Sequence, residues 1–459
     1  MKITRFAPSP TGTLHIGGVR TALFNYIFSR QHNGLFLIRI EDTDQERSKK
    51  EFEVDILQGL QWLGIEADQE PVRQSERSEL YRVAAEKLIN SGSAYWCNCT
   101  PEELDEMRKA QSAAGKKPMY DGRSRNLGLA RSSETVLRLA TPENGETIVN
   151  DLIRGEIKFN NNELDDLILL RSDGSPTYHF CNVVDDYEQK ITTVIRGEDH
   201  ISNTPRQIHI QKALGYPDLE YAHLPLVLGE DKKRLSKRHA ATSLNAYKEM
   251  GYTKETIINT LALLGWSTQE EIFSTNDLIA NFDIKNVQKG AAIFDLKRMD
   301  WISSQHLSNL NNDDFIKIIR PFMEEMNIHA DAQNYEAIIL AMRTSKPSLY
   351  QIAESTKPFF FPLEEYDPKG AEKFLKGSKE LLEHAFDKLQ NLNEWTETEL
   401  DMLLIQIRDF FNYPVPKVNQ PLRIALMGTT MSPSLGYTLE LFGKEESLKR
   451  IQTAIKFIG

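Results

Sequence analysis

The sequence predicts an α/β domain carrying an α+β insertion, followed by an all-α C-terminal region. Three observations carry this reading. The opening residues alternate strand, loop, helix and strand. The texture turns mixed and polar near Tyr95. Helical periodicity then dominates from about Ala240 to the end.

Lys2–Ala7 reads as a short buried strand. Pro8-Ser9-Pro10-Thr11-Gly12 follows as a turn, because the prolines fix φ and the glycine frees it. From His15 to His32, Ile16, Val19, Leu23, Tyr26 and Ile27 recur at helical spacing. Leu35–Ile40 is β-branched and apolar, a second strand. Helices are expected over Lys49–Leu63 and Ser78–Ser91. Residues 95–185 mix short strands such as Thr135–Leu139 with polar loops. Strand-like runs return at Ile191–Arg196 and Leu224–Leu228. Beyond them Ile257–Leu264, Phe315–Met326, Tyr335–Met342, Glu380–Leu392, Glu397–Asn412 and Glu446–Ile458 are helical, with Asn276, Asp313 and Thr396 as expected N-caps.

At 459 residues the chain is expected to hold about three or four domains. Hydrophobic residues at 40% and charged residues at 26% suit a globular protein with ample core. No apolar run is long enough to span a bilayer, and the N-terminus reads as a strand rather than a signal peptide. Cys97, Cys99 and Cys181 cannot build a disulfide framework, so a reducing, cytoplasmic setting is expected. The net charge of −11 argues against a histone-like binder of nucleic acid but allows one basic RNA-facing surface.

Two constellations carry chemistry. The first is Arg5-Phe6-Ala7-Pro8-Ser9-Pro10-Thr11-Gly12-Thr13-Leu14-His15-Ile16-Gly17-Gly18. A strand delivers a Gly/Pro turn to a helix N-terminus, where free N–H groups favour phosphate. Gly17 and Gly18 let a base or ribose lie directly on the helix. A bare His-Ile-Gly-Gly reads more simply as a helix start with a packing histidine. The second is Arg234-Leu235-Ser236-Lys237-Arg238, whose cations suit a polyphosphate. Alone it reads as a solvated loop.

Together, in this order and spacing, they resemble the HIGH and KMSKS motifs of class I aminoacyl-tRNA synthetases. The resemblance extends to bacterial glutamyl-tRNA synthetase through Arg39-Ile40-Glu41-Asp42-Thr43-Asp44, Tyr120-Asp121-Gly122-Arg123, Leu164-Asp165-Asp166, Asp173-Gly174-Ser175-Pro176-Thr177-Tyr178, Val184-Asp185-Asp186, Ile195-Arg196-Gly197-Glu198-Asp199-His200, Asn203-Thr204-Pro205-Arg206-Gln207 and Pro421-Leu422-Arg423. It covers essentially the whole chain and is most specific up to about residue 245.

The resemblance implies a Rossmann-like catalytic domain in two halves, 1–94 and 186–240. Residues 95–185 would bind the tRNA acceptor end, 241–310 would contact the stem, and 311–459 would bind the anticodon. It implies ATP on His15, Gly17, Gly18, Asp199, His200, Leu226, Val227, Arg234 and Lys237, with His15 and Lys237 catalytic and Mg2+ arriving with the nucleotide. Glutamate would lie on Arg5, Ala7, Ser9, Glu41, Tyr178, Asn182 and Arg196; arginines suit its carboxylates and Glu41 its ammonium. The implied partners are L-glutamate and tRNA(Glu), with tRNA(Gln) as an alternative acceptor, and the implied state is a monomer away from membranes. A tRNA(Gln)-directed enzyme and a catalytically silent tRNA-binding paralogue remain the competing readings. Phe359, Phe360, Phe361, Trp395, Phe411 and Tyr413 are expected to be mostly bundle core, with base stacking as the alternative. Arg343 lies near the family's anticodon-reading arginine. Relatives with zinc complete a Cys-x-Cys pair with a later Cys and His. Here Ser124 and Asn126 stand at those places, so no structural zinc is expected.

Overall fold

The computed structural model describes residues 1–44, 46–233, 235 and 243–459. Arg234 and Lys237 therefore lie outside the described residues. The chain divides into two compact units, Met1–Ala246 with Ile257–Leu296, and Tyr247–Thr256 with Lys297–Gly459.

In the first unit, β1 (Ile3–Phe6) leads through α1 (Ile16–Gln31) to β2 (Leu35–Ile40). The two strands pair in parallel, Ile3 opposite Leu35 and Phe6 opposite Ile38. A parallel pair needs such a crossover, and α1 buries Val19, Leu23, Phe24 and Ile27 in making it. After α2 (Lys50–Trp62), β3 (Val72–Arg73) adds to β2, and α3 (Ser78–Asn90) follows.

The next stretch divides between two sheets. β4 (Ala94–Cys97), β5 (Val136–Leu139) and β8 (Ile168–Leu170) form an antiparallel sheet, with α4 (Pro101–Ala113) between its first two strands. The hairpin of β6 (Glu146–Asp151) and β7 (Gly155–Asn160) instead joins a sheet with β9 (Thr193–Gly197) and β10 (Glu220–Leu224), in the order β7-β6-β10-β9. Thr192, just before β9, ties that sheet to β1: its N–H donates to the Ile3 carbonyl at 3.0 Å and its hydroxyl accepts from Ile3 N at 2.8 Å. α6 (Thr204–Leu214) packs Ile208 against these strands, while α5 (Tyr178–Glu188) packs against α6 and the β4-β5-β8 sheet.

Several sequence expectations shift. Leu224–Leu228 is not one strand: Pro225, which has no N–H to offer a ladder, separates β10 from the short β11 (Val227–Leu228). Ser274 rather than Asn276 caps Thr275–Asn281, and Asn311 rather than Asp313 caps Asn312–Glu325. The donors needing an acceptor are the backbone N–H groups of Asp277 and Asp314, three residues on. Thr396 caps Glu397–Phe411 as expected. The last helix starts earlier, at Leu435, and kinks at Gly443, whose φ is 73°.

The second unit is helical. Phe315, Ile319, Met323, Ile339 and Ile352 centre one core cluster. Leu382, Leu400, Ile407, Leu422 and Ile451 centre another, against which Phe359, Trp395, Phe411 and Tyr413 pack. Phe360 packs on the first cluster, while Phe361 is exposed. Arg343 donates to the carbonyls of Leu307 at 2.7 Å and Ser308 at 3.1 Å, closing the end of Leu296–Asn309. Its guanidinium is thus committed to helix ends. No helix among the described residues is long and apolar enough to cross a membrane.

Candidate active site

The strand ends and helix starts of the first unit surround a cavity of about 730 Å3. The N-terminal constellation supplies one wall. β1 carries Arg5 to the cavity, and the following turn brings Ala7 and Ser9. His15 is the N-cap of α1, and its Nδ1 accepts from Gly18 N at 3.2 Å. An imidazole that accepts through Nδ1 carries its neutral-state proton on Nε2. A Cβ at Gly17 would stand 3.1 Å from the His15 ring, so the glycine lets the imidazole lie along the first turn.

Opposite, Glu41 directly follows β2 and is buried. It accepts from Asn182 Nδ2 at 2.7 Å. Burial raises its pKa, against the pull of Arg39 and Arg5. Asn182 in turn accepts from Arg39 Nη2 at 2.9 Å, so both ends of its amide are fixed. Arg39 is fully buried, and burial opposes its charge. Asp186, Asp185 and Glu41 outweigh that and raise its pKa. Arg5 pairs with Asp186, Nε to Oδ1 at 3.0 Å. A structural pairing of Arg5 with Glu41 is thus not what forms.

Arg196, on β9, is set differently. It is 7% exposed. Nη1 donates to Gln207 Oε1 at 2.7 Å, Nη2 to Thr204 Oγ1 at 2.8 Å and Nε to His223 Nε2 at 3.2 Å. His223 Nδ1 donates to Asp151 at 2.6 Å, which leaves Nε2 the acceptor Arg196 requires. Among the described residues no carboxylate lies within ion-pair distance of Arg196. Burial lowers its pKa, and the nearby Arg5 adds to that. A buried cation held only by neutral groups is costly unless a further anion arrives.

Tyr178 and His200 close the same side. Asn203 Nδ2 can only donate, so His200 Nδ1, at 3.2 Å from it, is an acceptor and also takes the Tyr178 hydroxyl at 3.1 Å. Burial pushes His200 down to about 4 and Tyr178 up to about 12. His200 is therefore neutral near pH 7. Asp199, Leu226 and Val227 complete the far wall. Leu226 N donates to Glu198 at 2.8 Å, so that stretch of backbone is fixed.

The cavity therefore gathers Arg5, Ala7, Ser9, His15, Gly17, Gly18, Glu41, Tyr178, Asn182, Arg196, Asp199, His200, Leu226 and Val227. Arg234 and Lys237 lie outside the described residues, although Leu235 lines the cavity. Sequence reasoning missed the supports: Arg39, Asp186, Gln207 and His223. It also missed Arg20, a buried arginine on the cavity wall that donates to the Pro225 carbonyl at 2.7 Å. Arg20 sits one turn beyond Gly17, beside the apolar Val19 and Ala22, which was the available signal.

Away from the cavity, Cys97 and Cys99 are free thiols. Ser124 Oγ lies 3.5 Å from Cys97 Sγ and 3.7 Å from Cys99 Sγ, while Asn126 is exposed.

The chain is similar to known proteins over nearly its whole length. Residues 2–301 match the family described as tRNA synthetases class I (E and Q), catalytic domain, and residues 314–455 match the anticodon binding domain family. The chain is 44% identical to a glutamate–tRNA ligase 1 of Syntrophus aciditrophicus, covering 99% of this chain and 97% of that one. It is 41% identical to a glutamate–tRNA ligase of Thermodesulfovibrio yellowstonii, covering 98% of each. A crystal structure of a glutamate tRNA ligase from Elizabethkingia meningosepticum, in complex with its amino acid, superposes over 100% of both chains with a TM-score of 0.87 at 32% identity.

Proposed function

The chain belongs to the class I glutamate–tRNA ligase family, and from that premise we propose that it activates L-glutamate with ATP and passes the glutamyl group to the 3′ end of tRNA(Glu). The observation that carries the substrate assignment is Arg196, a buried cation without a carboxylate partner among the described residues, beside Arg5 in the same cavity. A dicarboxylic amino acid supplies the missing anion. Glu41 faces its ammonium, with Asn182 holding the Glu41 carboxylate in place. Tyr178, Ser9 and the backbone at Ala7 line the remaining contacts.

In the activation step a carboxylate oxygen of glutamate attacks the α-phosphorus of ATP. The bond to the β,γ-diphosphate breaks, and glutamyl-adenylate and diphosphate result. No general base is required, because the nucleophile is already ionised; the protein positions and neutralises. His15, with Nε2–H as its donor, would meet a phosphate oxygen. Gly17 and Gly18 admit the nucleoside, and Asp199, His200, Leu226 and Val227 hold ribose and base. Arg234 and Lys237 would grip the diphosphate, with Lys237 and His15 the groups acting on the reacting phosphates. The family uses ATP with Mg2+, which adds positive charge on the phosphates.

Residues 95–185 would hold the acceptor end and 241–310 the stem. Residues 311–459 would hold the anticodon, a reading supported by the match over 314–455. We take the enzyme to act as a cytoplasmic monomer. Side-by-side aminoacylation of purified tRNA(Glu) and tRNA(Gln) tests the assignment. Glutamylation of tRNA(Glu) alone is expected. Equal charging of both would make the enzyme non-discriminating. Absence of diphosphate release with ATP, glutamate and tRNA would reduce the chain to a silent paralogue.

Free glutamine is expected to be a poor substrate, with kcat/KM roughly a hundredfold or more below that of glutamate. Its amide would leave a buried guanidinium without an anion, at a cost of a few kcal/mol. Diphosphate exchange at matched concentrations of the two amino acids measures the ratio, and near-equal rates would overturn the site as drawn.

Protein purified without chelator is expected to carry no stoichiometric zinc. A closed tetrahedral site needs four nitrogen or sulfur donors. Ser124 already sits against both thiols and Asn126 points into solvent. Elemental analysis decides the point: one zinc per chain, lost in the Cys97→Ser/Cys99→Ser variant, would refute it.

A further inference from the structure

A second cavity, of about 250 Å3, lies behind the amino-acid site between α5, α6 and the strands β9 and β10. It shares no lining residue with the larger one. Val183, Ile191, Leu219 and Tyr221 give it an apolar, partly aromatic wall. At its edge Tyr187 and Tyr216 stack in parallel, their ring centroids 3.7 Å apart.

Lys190, Thr192, Gln211 and Asp218 also border it, but two other polar side chains on its lining, Asp186 and Gln207, are each bonded on their other side to an arginine of the amino-acid site. Asp186 pairs with Arg5 and with Arg39, the latter at 2.7 Å. Gln207 accepts from Arg196 through Oε1 at 2.7 Å. Gln207 is 4% exposed, and its Nε2 has no hydrogen-bond partner. Flipping the amide cannot relieve this, because Arg196 only donates and must face the oxygen. A buried amide donor without an acceptor is unfavourable, and an acceptor brought into the cavity would satisfy it.

We propose that this cavity is a second small-molecule site. Its ligand class is a neutral, planar aromatic compound bearing one carbonyl acceptor, bound with the ring on Leu219 and Tyr221 and the carbonyl on Gln207 Nε2. The volume admits one ring, and aromatic walls favour a planar face. Occupancy reaches Arg196 through Gln207 and Arg5 through Asp186, so the ligand modulates glutamate binding. That coupling rests on the reading of Arg5 and Arg196 as substrate arginines; the binding itself does not.

Benzamide is the probe, used with the full-length enzyme. Soaked crystals are expected to show its ring in the cavity and its carbonyl oxygen on Gln207 Nε2. Calorimetric titration is expected to give saturable binding with Kd on the order of 1 mM, the affinity suited to so few atoms. The variant Leu219→Phe should fill the cavity and abolish this binding while retaining glutamate activation without benzamide. Leu219→Trp serves if the first variant is unstable, with the thermal midpoint as the folding check. Saturating benzamide should shift the glutamate KM on the order of fivefold with a smaller change in kcat. No density at the cavity, or binding that survives both Leu219 variants, overturns the site. Binding with an unmoved KM overturns the coupling alone. Loss of the glutamate effect in an enzyme whose Arg196 variant still uses glutamate normally would locate the failure in the substrate assignment.

Discussion

Arg196→Ala is expected to lower kcat/KM for glutamate by on the order of ten-thousandfold, the scale seen when a site built to pair a polar group loses that pairing. The argument starts from what the guanidinium holds. Four neutral acceptors fix its position: Gln207, Thr204, the His200 carbonyl and the His223 ring backed by Asp151. None supplies charge, so the substrate carboxylate is the anion the site lacks. Alanine removes a charge-assisted contact and also leaves these acceptors facing a void. Arg196→Lys keeps the charge but not the fork, and is expected to recover only part of the loss. Diphosphate exchange with glutamate varied over a wide range, together with a thermal midpoint to show that the variant folds, checks the result. Activity within tenfold of the native enzyme would remove Arg196 from the substrate site.

The contrast between Arg196 and its supports shows what could be read from the chain. Arg5, Glu41, Tyr178 and Arg196 stood out because each sits in a local run whose residue types suit the chemistry. The opening strand, helix and strand were equally legible, since period and turn residues are local signals. Arg39 lies only two residues from Glu41, yet its importance comes from Asp186 on α5 and Gln189 just past its end, 147 and 150 positions away. No spacing rule announces such a pair. α4 escaped notice although Thr100, Pro101 and Glu103 spell a capping box with proline in the first turn; its polar surface offers little apolar periodicity to find. α5 and α6 escaped for the opposite reason. They are buried on several sides, so neither shows the one-sided apolar stripe by which a surface helix is recognised.

Lys237→Ala is expected to lower kcat on the order of a hundredfold or more while leaving the glutamate KM nearly unchanged. Residues 236–242 lie outside the described part of the structure, but the residues flanking them are placed. Leu235 lines the cavity, and its N–H donates to the Val227 carbonyl at 3.3 Å. On the other side Ser243 pairs with His15 as an antiparallel bridge, and Leu244 N donates to the Leu14 carbonyl at 2.9 Å. The described residues on either side, Leu235 and Ser243–Leu244, thus lie beside the expected adenine wall and the expected phosphate-binding turn. A lysine cation that meets the diphosphate stabilises the negative charge that builds on it in the transition state. Removing such a group raises the barrier without loosening ground-state contacts to the amino acid, which are made by Arg5, Glu41 and Arg196 instead. Single-turnover formation of glutamyl-adenylate, measured with tRNA present, separates chemistry from product release. Lys237→Arg restores a cation with different reach and should recover only part of the rate. A Lys237→Ala enzyme with near-native turnover would sink the assignment, and one whose loss lay wholly in glutamate KM would move the lysine from the phosphates to the amino-acid site.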